Sequence, residues 1–172
     1  MAIDIVIDDG GGEDATTIAG GWNLIPASPA DAYHLIINNS NTYQESVSFT
    51  GKSTTPTKYV KIFAKSGETP TWETPATLHC CRVLNNFVSF GTMDPTEGDP
   101  FKVKKSSNST EGAMWISGTA RAYVYFDLLD FEVTNATGAY CVFMKSDGQN
   151  HIYIRGCRCY GGILSTIDCK VI

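Results

Sequence analysis

Long apolar runs are missing from this chain. The strongest, such as Leu35 to Ile37, are far too short to cross a bilayer, and Met1 to Ile7 alternates instead of forming the apolar core of a signal peptide. Membrane insertion is therefore not expected, and the chain is expected to fold in a cytoplasm. Dense positive charge is missing too. The net charge is −5, and the nearest basic cluster is Lys102, Lys104 and Lys105, which sets nucleic acid aside as a partner. Of six cysteines, Cys80-Cys81 and Cys157-Arg-Cys159 come closest to a motif, but neither has the C-x-x-C spacing of a zinc or redox site. In a reducing compartment all six are expected to stay thiols, with no disulfides, and the sequons at Asn38, Asn108 and Asn135 carry no meaning without secretion.

Cofactor signatures are equally scarce. The acidic glycine turn Asp8 to Asp14 lacks the spacing and the bidentate Glu of an EF-hand loop, and Ala15 stands where a dinucleotide fingerprint needs its third glycine. No metal and no cofactor are expected. The histidines His34, His79 and His151 are scattered, with no Ser or Cys nucleophile beside them in the pattern.

A repeat is present. Tyr59 to Ile62, Phe87 to Phe90, Tyr123 to Phe126 and His151 to Ile154 share one alternating pattern; the outer steps are 28 residues, and the middle step is 36 because Asp94 to Asn108 adds an excursion of eight. A fixed period of this size marks stacked rungs. Alternation sends Val60, Val88, Val124 and Ile152 to one face with Ile62, Phe90, Phe126 and Ile154, and that face is the expected core. After a bend near Asp127, Leu129, Phe131 and Val133 form a second strand, matched by Cys157 and Cys159 one rung later, where the thiols pack as small hydrophobes. A third strand is expected around Met114 to Ile116 and Val142 to Met144. Its facing stays open, because Cys141 also maps onto Cys169, and Trp115 onto Phe143 and Val171. Leu35 to Ile37, Val47 to Phe49 and Val60 to Ile62 read as three strands of an earlier rung.

At the N-terminus Ile3, Ile5 and Ile7 alternate as a strand, and Ile18, Trp22 and Ile25 have helical spacing behind Asp14 as N-cap. Such a helix would cover the first rung, which otherwise exposes apolar side chains and unpaired strand groups. The expected organisation is one domain over residues 1–172, with 1–30 as N-terminal strand and cap and 31–172 as rungs. The fold class is all-β: a right-handed parallel β-helix of about four to five rungs with a short N-terminal capping helix.

On these residues the chain resembles the pectate-lyase-like right-handed β-helix superfamily. Asn41 to Phe49 is similar to a strand entry of the form T-Y-x-E-x-V-x-I found there, and Val124 to Gly156 looks like two of its rungs. It also resembles short β-helical proteins encoded by bacteriophages. Enzymes of that superfamily carry carboxylates with Ca²⁺ and an Arg or Lys base, or an Asp cluster, on one outward strand face. The resemblance thus points to Asp127, Asp130, Glu132, Arg155 and Arg158 as catalytic candidates. At the 28-residue step, however, Asp127 stacks on Arg155 and Asp130 on Arg158, so exposed structural ion pairs of about 0–1 kcal/mol each are the expected reading.

Outward aromatics form columns, Tyr59, Phe87, Tyr123 and His151 in one and Tyr125 with Tyr153 in another; they suit self-stacking, a protein contact or a sugar ring. Val171 and Ile172 end an alternating stretch from Ile167, an open rung expected to be covered by another chain, with a homotrimer favoured by the phage resemblance. Two functions follow as expectations. The first is a non-enzymatic structural or interaction protein, a virion component such as a capsid decoration, spike or tail-associated β-helix, made in the host cytoplasm and docked onto other protein chains. The second is a carbohydrate-active β-helix, either a polysaccharide lyase or hydrolase remnant or a glycan-binding adhesin. Four or five rungs stack to only about 20–25 Å, short for a long substrate groove.

Overall fold

The computed structural model describes residues 1–74, 79–106, 112–117, 123–134, 141–145, 151–160 and 170–171, with backbone alone at 117, 143–145 and 170–171. The strands wind into a parallel β-solenoid of about four turns. Its longest sheet holds seven strands: β1 (Ile3–Ile7), β2 (Tyr33–Ile37), β5 (Val60–Ala64), β8 (Val88–Gly91), β11 (Val124–Asp127), β14 (Ile152–Arg155) and β16 (Lys170–Val171). The second sheet stacks β3 (Thr42–Gln44), β6 (Thr71–Glu73), β9 (Lys102–Lys105), β12 (Asp130–Val133) and β15 (Arg158–Tyr160). The third stacks β4 (Val47–Phe49), β7 (Cys81–Val83), β10 (Met114–Ser117) and β13 (Val142–Lys145).

The repeat read from the sequence is the register of the long sheet. Val60 pairs with Val88, Val88 with Val124 and Val124 with Ile152, and none of the four is more than 3 % exposed. Phe90 and Phe126 stack inside at 5.3 Å between ring centroids. Period-2 alternation puts a β-branched or aromatic side chain inward at each such place, each contributing roughly 1.5–3 kcal/mol. Tyr43, Trp72, Val103, Phe131 and Cys159 form the inner column of the second sheet.

In the third sheet the open facing resolves: Cys81, Val83, Met114, Ile116 and Val142 point inward, and Trp115 lies outward over the Arg82 guanidinium, 4.8 Å from its ring. Trp115 does pair with Phe143, but Val171 does not continue that column; it pairs with Ile154 in the long sheet. The earliest rung is also reassigned. Val60 to Ile62 opens the following turn, against Tyr33 to Leu35, and the missing middle strand is the short Thr42–Gln44, whose single inward residue, Tyr43, gave too little alternation to read.

The corner between the first two sheets is a left-handed bend at Gly91 (φ 77°), Leu128 (φ 57°) and Gly156 (φ 62°). Glycine is required at Gly91, where a Cβ would sit 2.0 Å from the Asp127 carbonyl oxygen of the next turn.

Helix α1 (Ile18–Leu24) lies on β1, β2 and β4 and buries Ile18 and Trp22, the latter edge-on to Phe49 at 4.9 Å. Its N-cap is Thr17 rather than Asp14: Thr17 Oγ1 accepts from the Gly20 N–H, and Glu45 accepts from the N–H groups of Ile18 and Ala19. Asp14 instead accepts from the Val6 N–H on the free edge of β1, which Ala15 also pairs. The acidic turn is thereby consumed in blunting a sheet edge.

One further expectation is corrected. Cys141 and Cys159 form a disulfide with Cα atoms 6.5 Å apart, since both pack against the core on adjoining turns; Cys80, Cys81 and Cys157 are free thiols. The three lysines nearest to a basic cluster do not act together. Lys102 and Lys104 pair with Glu132 and Glu73, but Lys105 follows Val103 inward and is fully buried.

Candidate functional site

The outer surface of the long sheet carries a groove of about 630 Å³. Outward positions of β5, β8, β11 and β14 form its floor, where alternation exposes every second side chain: Lys61, Ser89, Tyr125 and Arg155. The residues just before three of these strands, Tyr59, Phe87 and Tyr123, complete it. Six of the residues singled out from the sequence, namely Tyr59, Phe87, Tyr123, Tyr125, Asp127 and Arg155, therefore meet in one place.

One wall is the excursion. After β8 the chain leaves the solenoid at Thr92 and folds back over β5, where Asp99 pairs with Ala64. Gly98 packs so closely that a Cβ would lie 2.1 Å from the Ala64 carbonyl oxygen, and the loop buries Phe63 although that side chain points outward. Lys61 Nζ lies 2.7 Å from both carboxylate oxygens of Glu97, which also accepts from the Thr92 hydroxyl at 2.8 Å. This anchoring holds Met93 and Asp94 at the rim, both exposed. The excursion ends at β9, so it is shorter than the Asp94 to Asn108 span read from the sequence.

The aromatic columns are stacked ladders. Phe87, Tyr123 and His151 follow one another with centroids 5.1 Å apart at both steps, and Tyr125 lies 4.7 Å from Tyr153, all with planes within 15° of parallel. Tyr123 is covered on both faces. Phe87, half-buried, has Tyr123 as its single ring partner among the described residues. One turn earlier Tyr59 leans toward His34, at 6.3 Å, and toward the Lys61 ammonium, at 5.8 Å. Phe87 and Tyr123 also share a positive φ (50° and 58°), which Tyr59 lacks. The ladder breaks there, and the groove passes the break.

Electrostatically the floor is paired. Arg155 Nε and Nη2 donate to Asp127 Oδ1 and Oδ2 at 2.6 and 2.7 Å, and its guanidinium covers the Tyr125 ring at 4.9 Å. The hydrogen bonds to Asp127 raise the pKa of Arg155 above its ordinary value. Burial would raise the Glu97 carboxyl, but the bonds from Lys61 and Thr92 prevail and hold it below the usual range. At the rim the Thr96 hydroxyl and N–H bind Asp94 Oδ1 and hold that carboxyl low as well.

The remaining candidates lie elsewhere. Asp130 and Arg158 do form an ion pair, at 2.6 Å, and Glu132 pairs with Lys102, but these are on the outer face of the second sheet. Asp127, by contrast, is not on an exposed face as expected: its side chain is only 4 % accessible. Val171 contributes backbone to the long sheet, and Ile172 lies outside the described residues. Sequence reading missed Lys61, Ser89, Met93, Asp94 and Glu97; the lengthened 36-residue step signalled an insertion there but not the direction in which it folds. Among the described residues no group of three or more His, Cys, Asp or Glu could hold a metal. No helix among the described residues is long and apolar enough to cross a membrane. Comparison with protein-family models, curated proteins and solved structures found no match to this chain.

Proposed function

We propose that the protein is a carbohydrate-binding β-solenoid that acts without turnover. The observation that carries this reading is the groove that Phe87, half-buried and stacked on Tyr123, lines beside hydroxyl-bearing and charged side chains. A pyranose offers an apolar C–H face to such a ring and hydroxyls to the groups around it. Phe87 and Tyr123 hold strained left-handed backbones, a conformation that costs about 1–3 kcal/mol each and concentrates at ligand clamps.

Absence of turnover is supported by the carboxylates. Glycoside hydrolysis requires one acid kept protonated near neutral pH. Glu97 and Asp94 are both shifted the other way, and Asp127 is bound bidentately by Arg155. The test is a glycan microarray probed with the purified chain, together with assays for new reducing or unsaturated ends. Binding that disappears in Phe87→Asn, without depolymerisation, supports the proposal; product release abolished by Asp127→Asn overturns its second half.

A docking role in a larger assembly, as implied by the resemblance to phage-encoded β-helical proteins, draws support from a different feature. Met93 and Tyr123 at the groove rim are 51 % and 37 % exposed, apolar area that a partner chain would cover. Light scattering of the purified chain separates an oligomer, trimeric in the favoured case, from a monomer.

A further inference from the structure

We infer that the groove selects neutral and amino-bearing saccharides over uronate or phosphorylated ones, and that Asp94 is the residue that sets this preference. The inference rests on the binding reading above and deepens it. It runs opposite to the acidic polysaccharides that the lyase resemblance implies.

The reason is the distribution of charge along the lining. Two cations face the groove, Lys61 and Arg155, and each is already engaged by both oxygens of a carboxylate, Glu97 and Asp127. Arg155 keeps Nη1 for a ligand, but its positive charge is already neutralised by Asp127, whose 4 % accessible carboxylate would be stranded if the guanidinium turned away. Lys61 is likewise neutralised by Glu97, 25 % accessible, in a contact that anchors the excursion wall. Neither cation therefore offers an anion a net positive charge.

Counting the lining with Glu97, the two pairs cancel and Asp94 remains as one uncompensated negative charge. Only one of its oxygens is used: Oδ1 accepts both bonds from Thr96, and Oδ2 has no partner among the described residues. Oδ2 can accept from a sugar hydroxyl or pair with a sugar ammonium, and it repels a carboxylate or phosphate. The surrounding chain, at −5, adds to that repulsion.

The test uses matched sets on a glycan array and in calorimetry: α- and β-linked neutral oligosaccharides, each beside its C6-oxidised uronate and its 2-amino counterpart. The expected order is amino, then neutral, then uronate, with the neutral-to-uronate ratio roughly three- to tenfold and shrinking as salt is added. Asp94→Asn should bring that ratio close to one while neutral binding persists, and Phe87→Asn should abolish binding of every class. Uronates bound more tightly than neutral chains, or a ratio unchanged in Asp94→Asn, would overturn the inference and leave the binding reading standing. Binding of no chain at all would instead remove the binding reading, and the preference with it.

Discussion

Phe87 and Tyr123 lie ring over ring at 5.1 Å, and both hold the left-handed backbone that aromatic residues rarely adopt. Stacking is worth about 0.5–1.5 kcal/mol and the backbone conformation costs about 1–3 kcal/mol, so the two largely offset. Asparagine tolerates this backbone. Phe87→Asn is therefore expected to change unfolding free energy by no more than about 1 kcal/mol, whereas Phe87→Val, β-branched and strained there, should destabilise by more. Urea denaturation of the two variants checks the order.

The paired ladders Asp127–Arg155 and Asp130–Arg158 have the same spacing and the same 2.6 Å contact, yet they should respond differently to loss of the arginine. Asp130 is 30 % accessible and can be rehydrated; Asp127, at 4 %, cannot. Arg158→Ala should leave stability nearly unchanged, as loss of an exposed pair does. Arg155→Ala should cost about 2–3 kcal/mol by stranding a buried carboxylate, and Asp127→Asn in the same chain should restore part of it. A double-mutant cycle in denaturant measures both values.

Legibility followed the length of the alternating segments. Val60, Val88, Val124 and Ile152 were readable as one column because each sits in a run long enough to show period 2 and because the 28-residue step repeats. Thr42–Gln44 was not, since three residues with one inward side chain carry no period. Phe87, Tyr123 and His151 stack as one column, but Tyr59, read into the same column, turns to His34 and Lys61, a break that the side-chain pattern does not encode. The wall was hidden for a similar reason. Lys61–Glu97 and Asp99–Ala64 join residues 36 and 35 apart through a loop without periodicity.

The Cys141–Cys159 disulfide joins residues 18 apart in sequence and crosses from β13's entry to β15. Loop-closure entropy for such a separation gives about 3 kcal/mol. Burial pushes the neighbouring Cys157 thiol up to about 11, so it stays protonated and is a poor attacker of the bridge two residues away. Thiol counting in denaturant should show the pair oxidised in protein purified without reductant. Reductant should lower the melting temperature of the unmodified chain, and Cys141→Ser should melt at that lower temperature with or without reductant.

His34 gives the fold a pH dependence of defined sign. It lies between Asp4 and Lys61 in register on the long sheet, with Nδ1 3.2 Å from Asp4 Oδ1 and a buried Nε2 that has no hydrogen-bond partner. Burial lowers its pKa below 6.5, outweighing the pull of Asp4 and Glu97 in the other direction. The folded chain thus holds a neutral imidazole in a window where the unfolded chain has taken up a proton. Its contribution to stability is present in full above the unfolded value of about 6.5, falls as pH drops from there through the folded-state value, and is level below it. His34→Gln removes the titrating group. The difference in unfolding free energy between the unmodified chain and His34→Gln, measured by urea titration from about pH 8 to about pH 5, should be constant above the window and shift against the unmodified chain on acidification. A difference that stays flat across that range would mean that His34 is as free to protonate in the fold as in the open chain, contrary to its burial.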